Sequence, residues 1–475
     1  MYRQVALGEQ EDFLRGYISS IKTIDPWIYD ETILVILAHT IHLYEKDVLS
    51  KDIAKNIVKA LLKLRQEKSK ILELPYEDVH EALEAKAIEN LGDKGAWVNL
   101  GKSRNDQVAT AIRMKIRTEL INILNSLIML RETLIKKAEE SIDIVLPYYT
   151  HYRPAQISTL AHYFLSVEEA LQTSWRILFY TLKNCINICP QGSAACASTT
   201  VPMDRERLAY LLGFEAPIKN TLYATSTRDF ILYTASALVS LLIELSRAIE
   251  DLILWSMPQI NYVTLSPHHV STSSIMPHKR NPVTLEITRA RIGDALGDLV
   301  SIIAIYKSLM SGYNLDLQEI TKHIRNIIEI TKNTIDVLND VIRTATFNKD
   351  RMCKDAMSYP VIASDIAEQL SLKTGEPFRK AYFKVAKLLA KHHDIMVVVG
   401  EINNEYNLEM KAKDIKGWLL IKKNLGSPNP EQVKYMIKES IKLLSLDKSN
   451  IERVIEEINA RYEELNKTIL DILSS

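Results

Sequence analysis

DQVATAIRMKIRTELINILNSLIMLRETLIKK, residues 106–137, carries Val108, Ile112, Ile116, Leu120, Ile123, Leu127, Leu130 and Leu134 at steps of three and four, with no glycine or proline. That spacing is the apolar seam of one long packed helix. A helix of this length needs neighbours equally long, and Phe230–Trp255 and Thr284–Tyr313 supply them. The former is apolar nearly all round, the pattern of a helix buried on every side. Strand-like alternation is hard to find and glycine is scarce, 14 of 475 residues, so the expected fold is all-α, built on a long central bundle. Gly293 and Gly297, spaced G-x-x-x-G, let helices approach closely. An element this apolar points to burial by association, and an oligomer is expected.

Composition narrows the rest. A chain of 475 residues with formal charge +0 exceeds one core and lacks the basic excess of nucleic-acid binders. Charged shorter helices such as Lys51–Lys70 and Glu77–Leu91 precede Leu100, and Pro360, Gly375, Pro377, Gly426, Pro428 and Pro430 punctuate the last third. Division near Leu100 and Asn348 gives three helical domains, 1–101, 102–348 and 349–475. The N-terminal MYRQVALGEQED has no apolar signal core, and the run Phe230–Ile243 stops at Glu244, short of the roughly 20 residues of a membrane span. A soluble, cytoplasmic protein is expected. Cys185, Cys189, Cys196 and Cys353 suggest neither a disulfide framework nor a CxxC zinc site, and read as reduced, buried thiols. His268-His269 and His392-His393 lack carboxylate or cysteine partners at ligand spacing, so no metal is assigned to them.

The chemistry concentrates in STSSIMPHKRNPVTLE, Ser271–Glu286, a polar link between two long helices. Long irregular links in compact domains are usually functional or disordered. Asn281 as N-cap and Pro282 at the first helical position argue for order, and the hydroxyls, Lys279, Asn281 and Glu286 suit gripping and deprotonating a dicarboxylic acid. Three further clusters open long helices. Ser103-Arg104-Asn105-Asp106 combines caps with a cation that capping alone does not require, at a helix N-terminus that favours anions. Thr150-His151-Tyr152-Arg153 lies between Pro147 and Pro154, ahead of a helical run from Ile157. Gln191-Gly192-Ser193, after Pro190, reads as a turn of small residues, with presentation of its N–H groups to a ligand the weaker reading.

SSIMPHKRNP resembles the signature of the fumarase/aspartase superfamily, and SRNDQVAT at Ser103–Thr110 resembles its argininosuccinate lyase branch. EDVHEALE (Glu77–Glu84), Thr150-His151, Ala155-Gln156, NTLYATSTRD (Asn220–Asp229), GYNLDLQE (Gly312–Glu319) and GEPFRKA (Gly375–Ala381) are similar to that branch in the same order. The resemblance implies reversible β-elimination of argininosuccinate to arginine and fumarate, with no metal or cofactor. It implies three helical domains, a homotetramer built on the central bundles, and active sites shared between subunits. Ser273 matches the base and His151 the catalytic histidine, with Glu286 as its carboxylate partner. Lys279 and Asn281 stabilise the doubly charged intermediate. Ser103, Arg104, Asn105 and Thr150 match positions that hold the succinate carboxylates, and Asp78, Tyr313 and Gln318 match positions facing the arginine portion. Ser20 is a further binding candidate, while His80 reads as packing.

Departures from the pattern are specific. Thr272 stands where the family has glycine, so a β-branched residue is expected to make the loop's turn. Thr321 occupies the position of a lysine that grips the amino-acid carboxylate, and Lys322, one residue on, is the candidate replacement, although one helical step rotates a side chain by roughly 100°. Tyr223 and Thr227 replace acidic residues. The HKRNP of His278–Pro282 resembles adenylosuccinate lyases, whereas SRNDQ and YNLDLQE fall on the argininosuccinate side. Relatives of that branch also serve as lens structural proteins, but retention of Ser273, His151, Lys279 and Glu286 points to turnover.

Overall fold

Four ionisable residues on the seam helix have almost no contact with solvent, and the pairing they require organises the molecule. The computed structural model describes residues 16–408, 410 and 415–474. The N-terminal MYRQVALGEQED lies outside these residues. From the N-terminus, α1 (Tyr29–Glu45), α2 (Lys51–Gln66) and α3 (Val79–Leu91) precede α4 (Arg104–Glu140). A hairpin of β1 (Val145–Thr150) and β2 (Arg153–Thr159) leads into α5 (Leu160–Thr181) and then α6 (Asp229–Ser256). A small ladder, β3 (Ser271–Thr272) with β4 (Arg280–Asn281), precedes α7 (Val283–Tyr306) and α8 (Asp316–Thr344). The chain closes with α9 (Ala363–Thr374), α10 (Phe378–Lys391), α11 (Ile395–Tyr406) and α12 (Pro430–Ser474). The all-α class holds, with strands confined to short two-stranded ladders among the described residues.

The seam behaves as its spacing requires. Ile112, Ile116, Leu120, Ile123, Leu127, Leu130 and Leu134 are all buried in a core shared by α4, α5, α6, α7, α8 and α12, against which the half-buried Val108 packs. A second core joins α1, α2 and α3 to the distal end of α12, and a third joins α9–α11 to Val145 and Ile157 of the hairpin. Although α12 falls within the residues expected as a C-terminal domain, it runs along α4 and contributes Val433, Ile451 and Val454 to the central core.

Three expectations change. The helix after the signature loop ends at Tyr306 rather than Tyr313, and Gly312 at φ 107° sits in the connection to α8. The helical run expected from Ile157 begins at Leu160, because Arg153–Thr159 is strand and Thr159 caps α5 by accepting the His162 N–H at 3.2 Å. α6 is not buried on every side within one chain, since Tyr233 and Ile243 are exposed on one stripe. Of the cysteines, only Cys189 is buried; Cys196 is exposed. No helix among the described residues is long and apolar enough to cross a membrane.

The charges on α4 draw distant segments onto it. Arg131 is inaccessible to solvent, and donates through Nε to Glu168 of α5 at 2.8 Å and through Nη1 to Asp447 of α12 at 2.7 Å. The other Glu168 oxygen accepts the Ser440 hydroxyl at 2.8 Å. Removing one member of a buried pair strands the other charge in a poorly solvating interior. Glu168→Ala should therefore lower unfolding stability by about 3–5 kcal/mol, read as a lower urea midpoint. A loss under about 1 kcal/mol would mean that water reaches Arg131.

Candidate active site

The N-terminus of α4 is built from its own sequence. Ser103 caps it, accepting the Asn105 N–H at 3.3 Å, while Asp106 Oδ1 accepts the Ser103 N–H at 3.0 Å, completing a capping box. The second Asp106 oxygen accepts the N–H groups of Gly192 at 3.1 Å and Ala194 at 2.9 Å. The Gly192 and Ala194 N–H groups are thus spent on this internal carboxylate, and Gln191–Ser193 is the simple turn its sequence suggests. Burial raises the Asp106 pKa to about 6, against the N–H groups and Lys102 that lower it.

Beside the capping Ser103 and Asp106, Arg104 and Asn105 line a cavity of about 220 Å³ between α3, α4 and the start of α8. Ser20, Asp78, Tyr313 and Gln318 line the same cavity, so six residues singled out in sequence converge. Asp78 caps α3, accepting the Glu81 N–H at 2.7 Å through Oδ1, and its Oδ2 lies 3.2 Å from Arg104 Nη1. Ser20 donates to Asp25 at 3.1 Å, and Gln318 donates to the Ile18 carbonyl at 3.2 Å. Two guanidinium groups, two amides, a helix N-terminus and three carboxylates give this cavity handles for both anionic and cationic parts of one ligand. Lys322 is not brought to it. Thr321 lines the cavity wall, whereas Lys322 faces a separate groove with Arg325 and Glu329, and its Nζ pairs with Glu319 at 2.5 Å.

Three wall residues were not recognised from sequence as site candidates. Asp25 is buried, accepting the Val79 N–H at 2.7 Å in addition to the Ser20 hydroxyl. Arg228 is 1% exposed and donates to the Thr227 carbonyl at 2.7 Å, but its Nε has no partner among the described residues. His80, assigned to packing, meets Gln107 at 3.3 Å through Nδ1, and its buried Nε2 has no partner among the described residues. Burial pulls the His80 pKa down to about 4. Arg228 lies within the family-like stretch Asn220–Asp229, whereas nothing in the sequence around Asp25 marks it.

The remaining candidates lie at the β1–β2 hairpin, in the signature loop and its ladder, and in the first turn of α7. Thr150 pairs with Arg153 across the β1–β2 hairpin, and the connecting His151 and Tyr152 adopt φ 54° and 58°, as in a type I′ turn. Neither is glycine, so this tip carries strain of about 1–3 kcal/mol per residue. In the signature loop, Ser273 Oγ accepts the N–H groups of Ile275 at 3.3 Å and Met276 at 3.2 Å. Ser271 pairs with Asn281 and Thr272 with Arg280. Thr272 therefore sits in extended backbone that suits a β-branched side chain, and not in the turn expected of it. The helix cap also differs: Pro282 is the N-cap, its carbonyl accepting the Leu285 and Glu286 N–H groups at 3.0 and 3.1 Å, while Asn281 belongs to the ladder. Lys279 and Glu286 are exposed. No hydrogen bond or ion pair joins His151 to Glu286 among the described residues.

Residues 7–297 match a family model described as "Lyase". The chain is 42% identical to the argininosuccinate lyase of Sulfurisphaera tokodaii over 98% of both chains. The argininosuccinate lyase of Pyrococcus furiosus is 37% identical, over 97% of this chain and 98% of that one. The chain belongs to the argininosuccinate lyase family. Solved structures agree in fold: an EDDS lyase variant with bound fumarate superposes with TM-score 0.85 at 24% identity, covering 98% of this chain and 96% of that one. A class II fumarase from Schistosoma mansoni gives TM-score 0.71 at 18% identity, over 82% and 88% of the two chains.

In this member of the argininosuccinate lyase family, burial pushes the Asp25 pKa up to about 7, further raised by Asp78 and opposed by the Val79 N–H, Ser20 and Arg104. The folded chain then holds that proton more tightly than the unfolded chain, whose carboxyl titrates near 3.8. The stability Asp25 lends is complete below pH about 4 and is lost as pH rises through about 7. Asp25→Asn, with its amide oxygen in the place of Oδ2, retains both acceptor contacts without the charge. It should flatten the fall in stability from pH 4 to 7 and stabilise the protein at pH 8, on the order of 2 kcal/mol. Urea unfolding across that pH range checks this, and an unchanged slope would refute it.

Proposed function

We propose that the chain catalyses reversible β-elimination of argininosuccinate to arginine and fumarate, the last step of arginine biosynthesis. The observation that carries this reading is the convergence of Ser20, Asp78, Arg104, Asn105, Tyr313 and Gln318 on one cavity in a member of this family. Arg104, Asn105 and the α4 N-terminus suit the succinate carboxylates. Asp78 and Gln318 suit the cationic guanidino end, with Tyr313 closing that wall.

Ser273 is the proposed base for the β-proton. Its oxygen already accepts two backbone N–H groups, which favour the alkoxide over the hydroxyl and so lower its pKa. Lys279 and Asn281 stabilise the aci-carboxylate that follows, charge present only near the transition state. His151 then donates a proton toward the departing guanidino nitrogen or orients that end, with Glu286 as its carboxylate partner, and Thr150 binds beside it. The chemistry asks for no cofactor.

A homotetramer with active sites shared between subunits is part of the same proposal. It is supported by the exposure of the signature loop and of His151, outside the cavity of their own chain. It is also supported by α7, which buries one stripe, Leu285, Thr288, Ile292, Ala295 and Ile302, and leaves Ile287, Leu296, Val300 and Ile303 exposed. Gly293 and Gly297 lie on this open side with nothing near their missing Cβ atoms. We assign the enzyme to the cytoplasm and propose the division 1–101, 102–348 and 349–475; the separate core of α9–α11 supports its last boundary, while α12 packs back on the other two cores.

Purified protein offered argininosuccinate should release fumarate, followed by ultraviolet absorbance, and should release none from adenylosuccinate. The reverse outcome would give the HKRNP loop priority over SRNDQ. Ser273→Ala should cut turnover by about two to four decades with little change in melting temperature; a near-wild-type rate would put the base elsewhere. Mixed inactive Ser273→Ala and His151→Ala chains should regain part of the activity after subunit exchange, and no recovery would remove the shared site.

A further inference from the structure

His268 and His269 find a carboxylate that their sequence neighbourhood lacks. Both sit in the short 3₁₀ turn Pro267–His269, immediately before the β3–β4 ladder that carries the signature loop. Their Nε2 atoms approach the same Asp340 oxygen, at 2.7 and 3.0 Å, from 72 and 71 residues away in sequence. The three potential ligand atoms all lie within 4.8 Å of one another. A tetrahedral ion with bonds of about 2.0–2.2 Å sets its donors roughly 3.3 Å apart, so small side-chain rotations open room for one.

The same three side chains can form either a hydrogen-bonded triad or a cation site. Without an ion, both ring Nε2 atoms must carry protons and share one acceptor oxygen. With an ion, the same atoms present lone pairs to a single charge. His268 Nδ1 lies 2.8 Å from the Ser266 hydroxyl, an outer partner that fixes the ring's direction and leaves Nε2 for the inner position. Arg343 pairs with the other Asp340 oxygen, fixing the carboxylate while leaving Oδ2 to the histidines. Two imidazoles and one carboxylate are a donor set for Zn²⁺ or Co²⁺ with one position left for water.

We propose that His268, His269 and Asp340 form a divalent-cation site of the Zn²⁺/Co²⁺ class that clips the root of the signature loop to the C-terminal end of α8. The ion takes no part in the elimination; it limits the freedom of the segment from which Ser271–Asn281 projects. This assignment stands apart from the proposed activity.

The test uses untagged full-length protein, stripped with a chelator and titrated calorimetrically with Zn²⁺, with Co²⁺ followed by visible absorption. One ion should bind per chain. His268→Ala, at a side chain 55% exposed, and Asp340→Asn should each weaken binding roughly tenfold or more, with melting temperatures near wild type. His278→Ala, on the loop itself, should leave binding unchanged. Zn²⁺ should also slow protease cleavage within the loop in the wild type but not in His268→Ala. Stoichiometry far below one, affinity retained in both ligand variants, or loss in His278→Ala instead would overturn the site.

Discussion

Burying charge along a single long helix is the constraint from which most of this architecture follows. Asp106, Arg113, Arg117 and Arg131 on α4 are each no more than 1% exposed, and an unpaired ion in such an environment costs several kcal/mol. Each has a partner far away in sequence. Asp106 takes N–H groups from the turn at Gly192; Arg113 donates to the Cys185 carbonyl and lies 3.8 Å from the Phe230 ring centre. Arg117 reaches Asn187, Leu212 and Tyr462, and Arg131 reaches α5 and α12. Apolar contacts supply the bulk of the driving force, but they tolerate sliding. Directional pairing of four charges does not, and it fixes the register of segments from residue 168 to residue 462 against one helix.

Function follows from the same economy at the N-terminal end of α4. Ser103 and Asp106 complete the cap between themselves, and the cation and amide between them line the cavity, Arg104 paired with Asp78 and Asn105 donating to the Ala195 carbonyl. The opposite arrangement holds at the signature loop and at the β1–β2 hairpin, where chemically capable groups project from exposed turns. A chain with a walled binding cavity in one place and projecting side chains in others is suited to association, with the apolar faces of α6 and α7 available to drive it.

Sequence disclosed the regular parts and the chemistry more fully than the local turns. The seam of α4 was legible because seven of its eight apolar positions are fully buried, so the spacing carried one unmixed signal. The resemblance to the family located most of the cavity. The β1–β2 hairpin is not legible in the sequence because Pro147 and Pro154 read as breaks around a loop, when both fit a short ladder that buries Val145 and Ile157 in the α9–α11 core and Leu146 in the central one. Asn281 reads as a cap because its residue type favours one; its pairing with Ser271 is a contact ten residues apart that no local rule contains. Asp25 and the convergence of Asp340 on His268 and His269 were illegible for the same reason, being products of tertiary approach. Lys322 was the informative case: helical geometry alone warned that Lys322 and Thr321 face different ways, and they do.

The strained tip at His151 and Tyr152 has a kinetic meaning. Glycine at these two positions would relieve the backbone but would let the tip sample many directions. With side chains at both, the hairpin accepts a stability cost during folding and thereby holds the imidazole on a stiff arm before any partner arrives. In the role proposed for His151, less of the entropy of aiming that group would remain to be lost on binding a substrate.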